Sequence, residues 1–207
     1  MIAVLGADGS GKTTLMQGMT PVLRDVLNRE PRYEHLRPNL FPSLARLMGK
    51  TTNTGPTSNP HAGAPFSRTG SVFRLAYYTL DYILGYWFKV YPAMAKNSTV
   101  WLFDRYFYDF FIDPARGRIR LPKPIIRFLS IFIPKPDLIL CLGANPEIIH
   151  RRKPELSPGE VQRQVRELRN FCDGSRRAVW IDVGCPIEES LEHALDAVTS
   201  RMAARYA

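Results

Sequence analysis

A regular alternation of apolar strand candidates with helix-forming segments predicts an α/β fold, a mostly parallel sheet covered by helices on both faces. Three observations carry this. The alternation runs through all 207 residues with no internal repeat and no domain boundary. The run Pro136-Asp137-Leu138-Ile139-Leu140-Cys141-Leu142 is nearly continuously apolar, as strands of a parallel sheet are. The first run, Met1 to Leu5, passes through a glycine-rich turn straight into a helical pattern. A chain of this length suits one domain, residues 1–207, and can bury a sizeable core.

The turn reads Gly6-Ala7-Asp8-Gly9-Ser10-Gly11-Lys12-Thr13-Thr14, the G-x-x-x-x-G-K-[ST] pattern of a phosphate-binding loop. Glycines let the backbone curl so that successive N–H groups converge on phosphate oxygens. Gly6, Gly9, Ser10, Gly11, Lys12, Thr13 and Thr14 are therefore the expected nucleotide-binding residues. Lys12 can reach β- and γ-phosphates, and the Thr13 hydroxyl is the expected Mg2+ ligand. The helix that begins near Gly11 turns its positive dipole end to the same point. The competing reading is a glycine-rich turn that binds nothing; the strand before it and the helix after it argue against that.

Beyond the loop, Leu15, Met19, Val22, Leu23 and Val26 recur at helical spacing to about Asn28, with Pro21 placed to kink the helix. Pro31 is expected to break the chain before a short second strand, Tyr33 to Arg37, which ends at Pro38. Residues 39–70 are rich in Pro, Gly, Ser, Thr and Asn and are predicted to form a mobile flap near an acceptor site. Residues 71–91 form an unusually apolar helix, of a kind normally buried. One polar stripe, Arg74, Tyr78, Asp81, Tyr82, Gly85 and Lys89, runs along it. The stripe is expected to line a water-filled cleft, the alternative being core hydrogen bonds plus a solvated edge.

Ser98 to Phe103 reads as a third strand that ends in Asp104-Arg105-Tyr106. Ligands of open α/β sheets sit at the carboxyl ends of strands, so this pair points at the site. Asp104 can hold Mg2+ and Arg105 can clamp a phosphate; a structural ion pair is the alternative. Residues 107–121, with Asp109, Asp113, Arg116, Arg118 and Arg120, form a charged loop without an assigned role. Pro124 to Ile133 reads as a helix covering the sheet, with contact to a membrane surface as the less favoured reading. After the fourth strand a helix ends in His150-Arg151-Arg152-Lys153, either a lid that neutralises moving phosphate charge or cations placed at a helix C-terminus. An amphipathic helix over 158–171, a fifth strand over 178–183 and a helix from Ile187 complete the pattern.

The net charge of +9, from 28 basic and 19 acidic residues, favours anionic partners. No Lys/Arg block of nucleic-acid-arm length is present, so nucleic acid is not the expected partner. Cys141, Cys172 and Cys185 lack metal-site spacing, and no apolar run reaches about eighteen residues. The chain is accordingly read as cytoplasmic.

Four landmarks in order resemble the thymidylate kinase family of P-loop nucleoside monophosphate kinases: Asp8 to Thr14, Asp104-Arg105-Tyr106, Pro136 to Leu140, and Ile181-Asp182 before the last helix. They span nearly the whole chain. The resemblance implies a three-layer P-loop kinase fold with a five-stranded parallel sheet, Mg-ATP as donor, a small-molecule acceptor and a basic lid at about residues 150–160. It implies catalytic roles for Lys12, Asp8, Arg105, Arg151 and Arg152; the residues themselves point to metal contacts at Thr13 and Asp104 and to acceptor contacts at Arg37 and along the stripe at Arg74, Tyr78, Asp81 and Tyr82. A homodimer is compatible with it. The chain departs from the family on the acceptor side. Leu5 stands where the family has Glu, Arg29-Glu30-Pro31 falls before the expected second strand, and Asp81 is followed by Tyr82 rather than Arg. The acceptor is thus expected to be a nucleoside monophosphate for which thymidylate is a poor substitute; a sugar or glycan hydroxyl, and a nucleotide-binding ATPase without transfer, are the alternatives.

Overall fold

The computed structural model describes residues 1–42, 44 and 66–206. Five parallel strands, β1 (Ile2–Gly6), β2 (Glu30–His35), β3 (Thr99–Asp104), β4 (Leu138–Gly143) and β5 (Ala178–Asp182), lie in the order β2-β3-β1-β4-β5. The predicted five-stranded three-layer α/β fold is present. All five strands are short; β1 and β4 are apolar and fully buried, the edge strand β2 is largely polar, and alternate side chains feed opposite layers. From β1, Ala3 and Leu5 join a core with Phe103, Ile139 and Cys141, whereas Ile2 and Val4 join one with Leu102, Leu140 and Leu142.

The second layer is closed by α1 (Lys12–Pro21), through Leu15, Met16 and Met19, and by α9 (Ile187–Tyr206), through Ala194 and Val198. Pro21 does not break α1. The chain passes into a π-helical turn, Val22–Val26, closed by Leu27 N donating to the Val22 carbonyl at 3.0 Å. Pro31 is likewise tolerated, because β2 is an edge strand, where a missing N–H costs no ladder bond. The second strand therefore starts three residues earlier than expected, and Glu30 and Pro31 lie inside it rather than before it.

The opposite layer contains α2 (Arg68–Gly85), which runs through a π turn (Tyr86–Val90) into α3 (Tyr91–Asn97). Ser67 caps α2, accepting from Gly70 N at 3.1 Å, so the helix begins inside the predicted 39–70 flap. Residues 43 and 45–65 of that flap lie outside the described residues. The charged loop after β3 contains two helical turns, α4 (Asp109–Ile112) and α5 (Pro114–Gly117), followed by α6 (Lys123–Ser130). Then come β4, α7 (Pro146–Arg152) and α8 (Pro158–Asp173). Among the described residues no helix is long and apolar enough to cross a membrane.

At the carboxyl end of β4, Gly143 lies under the Trp180 indole of β5, and a Cβ there would collide with the ring. Gly143→Ala is expected to lower stability by about 1–3 kcal/mol through overpacking. Urea denaturation checks this, the midpoint falling with little change in slope.

Candidate active site

The phosphate loop leaves β1 at the centre of the sheet, where the carboxyl ends of neighbouring strands open a crevice. Gly9 (φ 87°) and Gly11 (φ 77°) take left-handed backbone that a side chain would strain. At Gly9 a Cβ would also meet the Ile149 carbonyl and Lys153 Cβ, each at 2.9 Å, so only glycine lets the loop pass beneath α7. The Ser10 hydroxyl is buried without a hydrogen-bond partner among the described residues. Buried Lys12 donates from Nζ to the carbonyls of Gly6 and Ala7, both at 3.0 Å. Its pKa is pushed down to about 7, first by burial and then by the Arg105 charge, against the opposing pull of Asp104 and Asp109. Thr13 and Thr14 are exposed at the start of α1 and border the cleft that Lys12 lines.

Parallel pairing of Val4 with Asp104 brings the end of β3 alongside the loop. Asp104 lies 3.5 Å from His35 Nδ1, and its second oxygen is buried without a hydrogen-bond partner among the described residues. Burial would raise the Asp104 pKa, but the His35 hydrogen bond and the Lys12 and Arg105 charges hold it below the ordinary carboxylate value. An orphaned carboxylate oxygen near an exposed threonine hydroxyl fits a Mg2+ ion completed by phosphate oxygens. Among the described residues no cluster of three His, Cys, Asp or Glu could hold a metal by itself.

Arg105 turns at φ 71°, a conformation uncommon for a side-chain-bearing residue, and its buried guanidinium spans two carboxylates. It reaches Asp8 at 2.6 Å and Asp109 at 2.8 Å. Arg116 of α5 pairs with the other oxygen of Asp8 and lies 3.7 Å from Asp113. Burial would lower the Arg105 pKa, but Asp109 outweighs it and the net direction is up; burial raises that of Asp109. Two guanidiniums therefore hold the loop aspartate. The sequence pointed to Asp8 and Arg105 as site residues but left Arg116 and Asp109 in a charged loop without a role. The only signals were spacings, Arg105 with Asp109 at i+4 and Asp113 with Arg116 at i+3, which resemble those of any solvated helix pair.

On α2 the expected cleft lining is corrected. Tyr78, Asp81 and Tyr82 are buried, while Phe73 and Leu80 of the helix and Trp87 and Phe88 of the π turn that follows are exposed. The inward polar stripe clamps the segment after β2. Asp81 accepts from Asn39 N at 3.2 Å and Phe41 N at 2.6 Å, and pairs with Arg37 at 2.9 Å. The Tyr82 hydroxyl donates to the Leu36 carbonyl, and Lys89 pairs with Glu34 and donates to the Pro38 carbonyl at 2.6 Å. Arg37 also donates to the Pro42 carbonyl at 3.2 Å and lies over Tyr77 and Tyr78. Arg74 lies 5.0 Å from the Tyr78 ring and 5.1 Å from that of Phe66, with no carboxylate partner among the described residues.

The basic lid residues diverge. Lys153 borders the cleft of about 340 Å3 that contains Asp8, Lys12, Thr13, Asp104, Arg105 and Arg116. Arg152 borders an adjoining cleft of about 220 Å3 beside Gly9, Gly11 and Thr14, and donates to the Val183 carbonyl at 2.8 Å. Arg151 lines a separate groove with Asn145, His150 and Gln162 and is not brought to the loop.

No family model matches the chain. A probable thymidylate kinase of Pyrobaculum calidifontis is 25% identical over 98% of this chain and 97% of its own length. One of Archaeoglobus fulgidus is 26% identical over 97% and 95% respectively. The chain is thymidylate kinase-like. A solved thymidylate kinase from Ehrlichia chaffeensis, 13% identical, superposes with a TM-score of 0.60 over 95% of this chain and 97% of that one, so the fold is shared across its length. The thymidylate kinase-like chain is a phosphotransferase. Neither alternative, a glycan hydroxyl as acceptor or an ATPase without transfer, gains support from these relatives.

The Arg37–Asp81 pair is the main tie between α2 and the segment after β2. Asp81→Ala leaves a buried guanidinium unpaired and two N–H donors unsatisfied. It is expected to cost about 3–5 kcal/mol, measured as the loss of unfolding free energy in denaturant.

Proposed function

We propose that this nucleotide kinase transfers the γ-phosphoryl group of Mg-ATP to a nucleoside monophosphate, and that thymidylate is a poor acceptor. The observation that carries the reading is the loop aspartate, Asp8, held by Arg105 and Arg116 within one cleft with Lys12 and Asp104. Phosphoryl transfer asks a protein for positioning and charge neutralisation more than for covalent chemistry. ATP would supply the phosphoryl group, and Mg2+ positive charge that neutralises its phosphates. Thr13 and Asp104 would hold the metal, and the amides of Gly9 to Thr14 the phosphates. The Lys12 ammonium uses two carbonyls and retains a third proton for a phosphate oxygen. Asp8, held between two guanidiniums, would orient the attacking group, and Arg105 and Arg116 the anionic acceptor. Arg152 and Lys153 border the loop and are the lid cations best placed to meet charge in the transition state; Arg151 is not.

The acceptor reading rests on what the stripe has left to offer. Tyr82 is committed to Leu36, and Arg37 to Asp81 and Pro42. Arg74, stacked on Tyr78, is the helix guanidinium that remains for an acceptor phosphate. The exposed apolar face of α2 and the π turn that continues it, including Phe73, Leu80 and Trp87, supports a homodimer packed helix against helix.

Arg74→Ala is expected to raise the acceptor KM about tenfold or more with little change in the KM for ATP, the signature of a lost binding contact. The measurement is ADP release over a panel of nucleoside monophosphates. A kcat/KM for thymidylate near about 10⁵ M⁻¹s⁻¹, within the ordinary enzyme range, would overturn the acceptor reading.

A second expectation concerns pH. With its pKa near 7, Lys12 loses its proton above that pH, whereas a bound triphosphate restores the charged form. ATP binding at about pH 8 should therefore take up a proton, and affinity should fall as pH rises, by up to about tenfold per unit. Calorimetry in two buffers of different ionisation enthalpy reads the uptake, and Lys12→Met should abolish it.

A further inference from the structure

The segment that follows the Arg116 helix carries a surface that the transfer reaction does not use. Ile125, Phe128, Ile131 and Phe132 are 46%, 60%, 64% and 55% exposed. This departs from the expected helix whose apolar residues cover the sheet. Ile126 and Ile133 do face inward, fully buried or nearly so, and fix the segment to the core. Phe128 and Phe132 meet edge to face at 5.5 Å, so the exposed rings form one platform. Pro122 and Pro124 stand at the start of α6, and Pro134 and Pro136 beyond it, which limits the backbone at both ends.

Around this platform Arg118, Arg120, Lys123, Arg127 and Lys135 are exposed, and no carboxylate occurs between Asp113 and Asp137. Of the five, Lys123 meets Glu167 of α8 at 2.8 Å in an exposed pair. The exposed face of α2 differs: it is long and carries few charges, as suits a second copy. An eight-residue helix with aromatic and aliphatic side chains outward and a predominantly cationic rim fits a different occupant. We propose that residues 118–135 dock this kinase on an anionic lipid surface, with Ile125, Phe128, Ile131 and Phe132 entering the headgroup–acyl boundary. The cations supply charge complementarity, and the apolar platform supplies the contact that a purely electrostatic patch lacks. The surface begins directly after α5, and Arg120 N donates to Ser71 Oγ of α2 at 3.0 Å, so it is continuous with the acceptor side.

The test is flotation of the full chain with vesicles of phosphatidylcholine alone or with about 30 mol% phosphatidylglycerol, an anionic fraction high enough to set up a surface potential. Binding is expected only with the anionic lipid, and it should weaken sharply with added salt. Arg127→Ala should weaken it about fivefold, the loss of one cation near the surface. Phe128→Ser with Ile131→Ser should weaken it at least as much, and both side chains are exposed, so the fold is not at risk. Leu80→Glu, on the other apolar face, should leave vesicle binding unchanged while reducing self-association on a sizing column. The proposal is overturned if anionic vesicles do not bind the chain, if the Phe128/Ile131 variant binds as the parent does, or if that variant instead dissociates a dimer. The kinase reading stands apart from all three outcomes, since ADP release is measured without lipid.

Discussion

The buried guanidinium of Arg105 is the interaction on which the arrangement of the site depends. It leaves the carboxyl end of β3, joins Asp8 of the phosphate loop to Asp109 of the arm that follows, and is buried while doing so. A charge in that position is tolerated only because both carboxylates meet it at hydrogen-bond distance. The left-handed backbone at Arg105 aims the side chain between them, and its N–H donates to the Val4 carbonyl at 2.9 Å, which ties the turn to β1. Arg116 then closes the other side of Asp8. The phosphate loop and the arm after β3 are thereby tied together by ion pairs, and the loop aspartate is held in place before any ligand arrives.

The acceptor side follows a different logic from the donor side. The polar stripe of α2 is spent inward on backbone groups and an ion pair that hold residues 36–41 against the helix. Burying those groups turns apolar residues of the same helix outward. The departure from the family at Tyr82 is thus more than the loss of a phosphate-binding guanidinium. The phenol has become a fastener for the segment after β2, with its ring packed edge-on against Tyr106 and Phe107. Among the described residues, Arg74 is then a guanidinium of the helix without a carboxylate partner, stacked on Tyr78.

Much of this was legible in the sequence, and the physical reasons are particular. Strand character at Met1 to Leu5 and at Leu138 to Leu142 follows from continuous apolarity, which only a sheet buried on both faces explains. The phosphate loop follows from backbone conformations that Gly9 and Gly11 alone permit cheaply. The position of Asp104-Arg105 at the cleft follows from its place just after an apolar strand. The reading failed where residue type and environment separate. Pro31 looked like a breaker because nothing local reveals that its strand lies on an edge. Asp81 and Tyr82 looked like cleft residues because polarity suggests water, whereas their partners are backbone atoms and the Arg37 guanidinium about forty positions away in the chain.

By itself, then, the sequence determined the fold class, the donor loop and two of the residues that face it, because those depend on local backbone preference and on apolar periodicity. Tertiary structure decided which charges meet. It brought Arg116 to Asp8 across more than a hundred residues, set Lys153 over Gly9 and sent Arg151 elsewhere, and buried one face of α2 at the expense of the other. Long-range ion pairing depends on how elements pack around the sheet, and spacing along the chain carries no record of it.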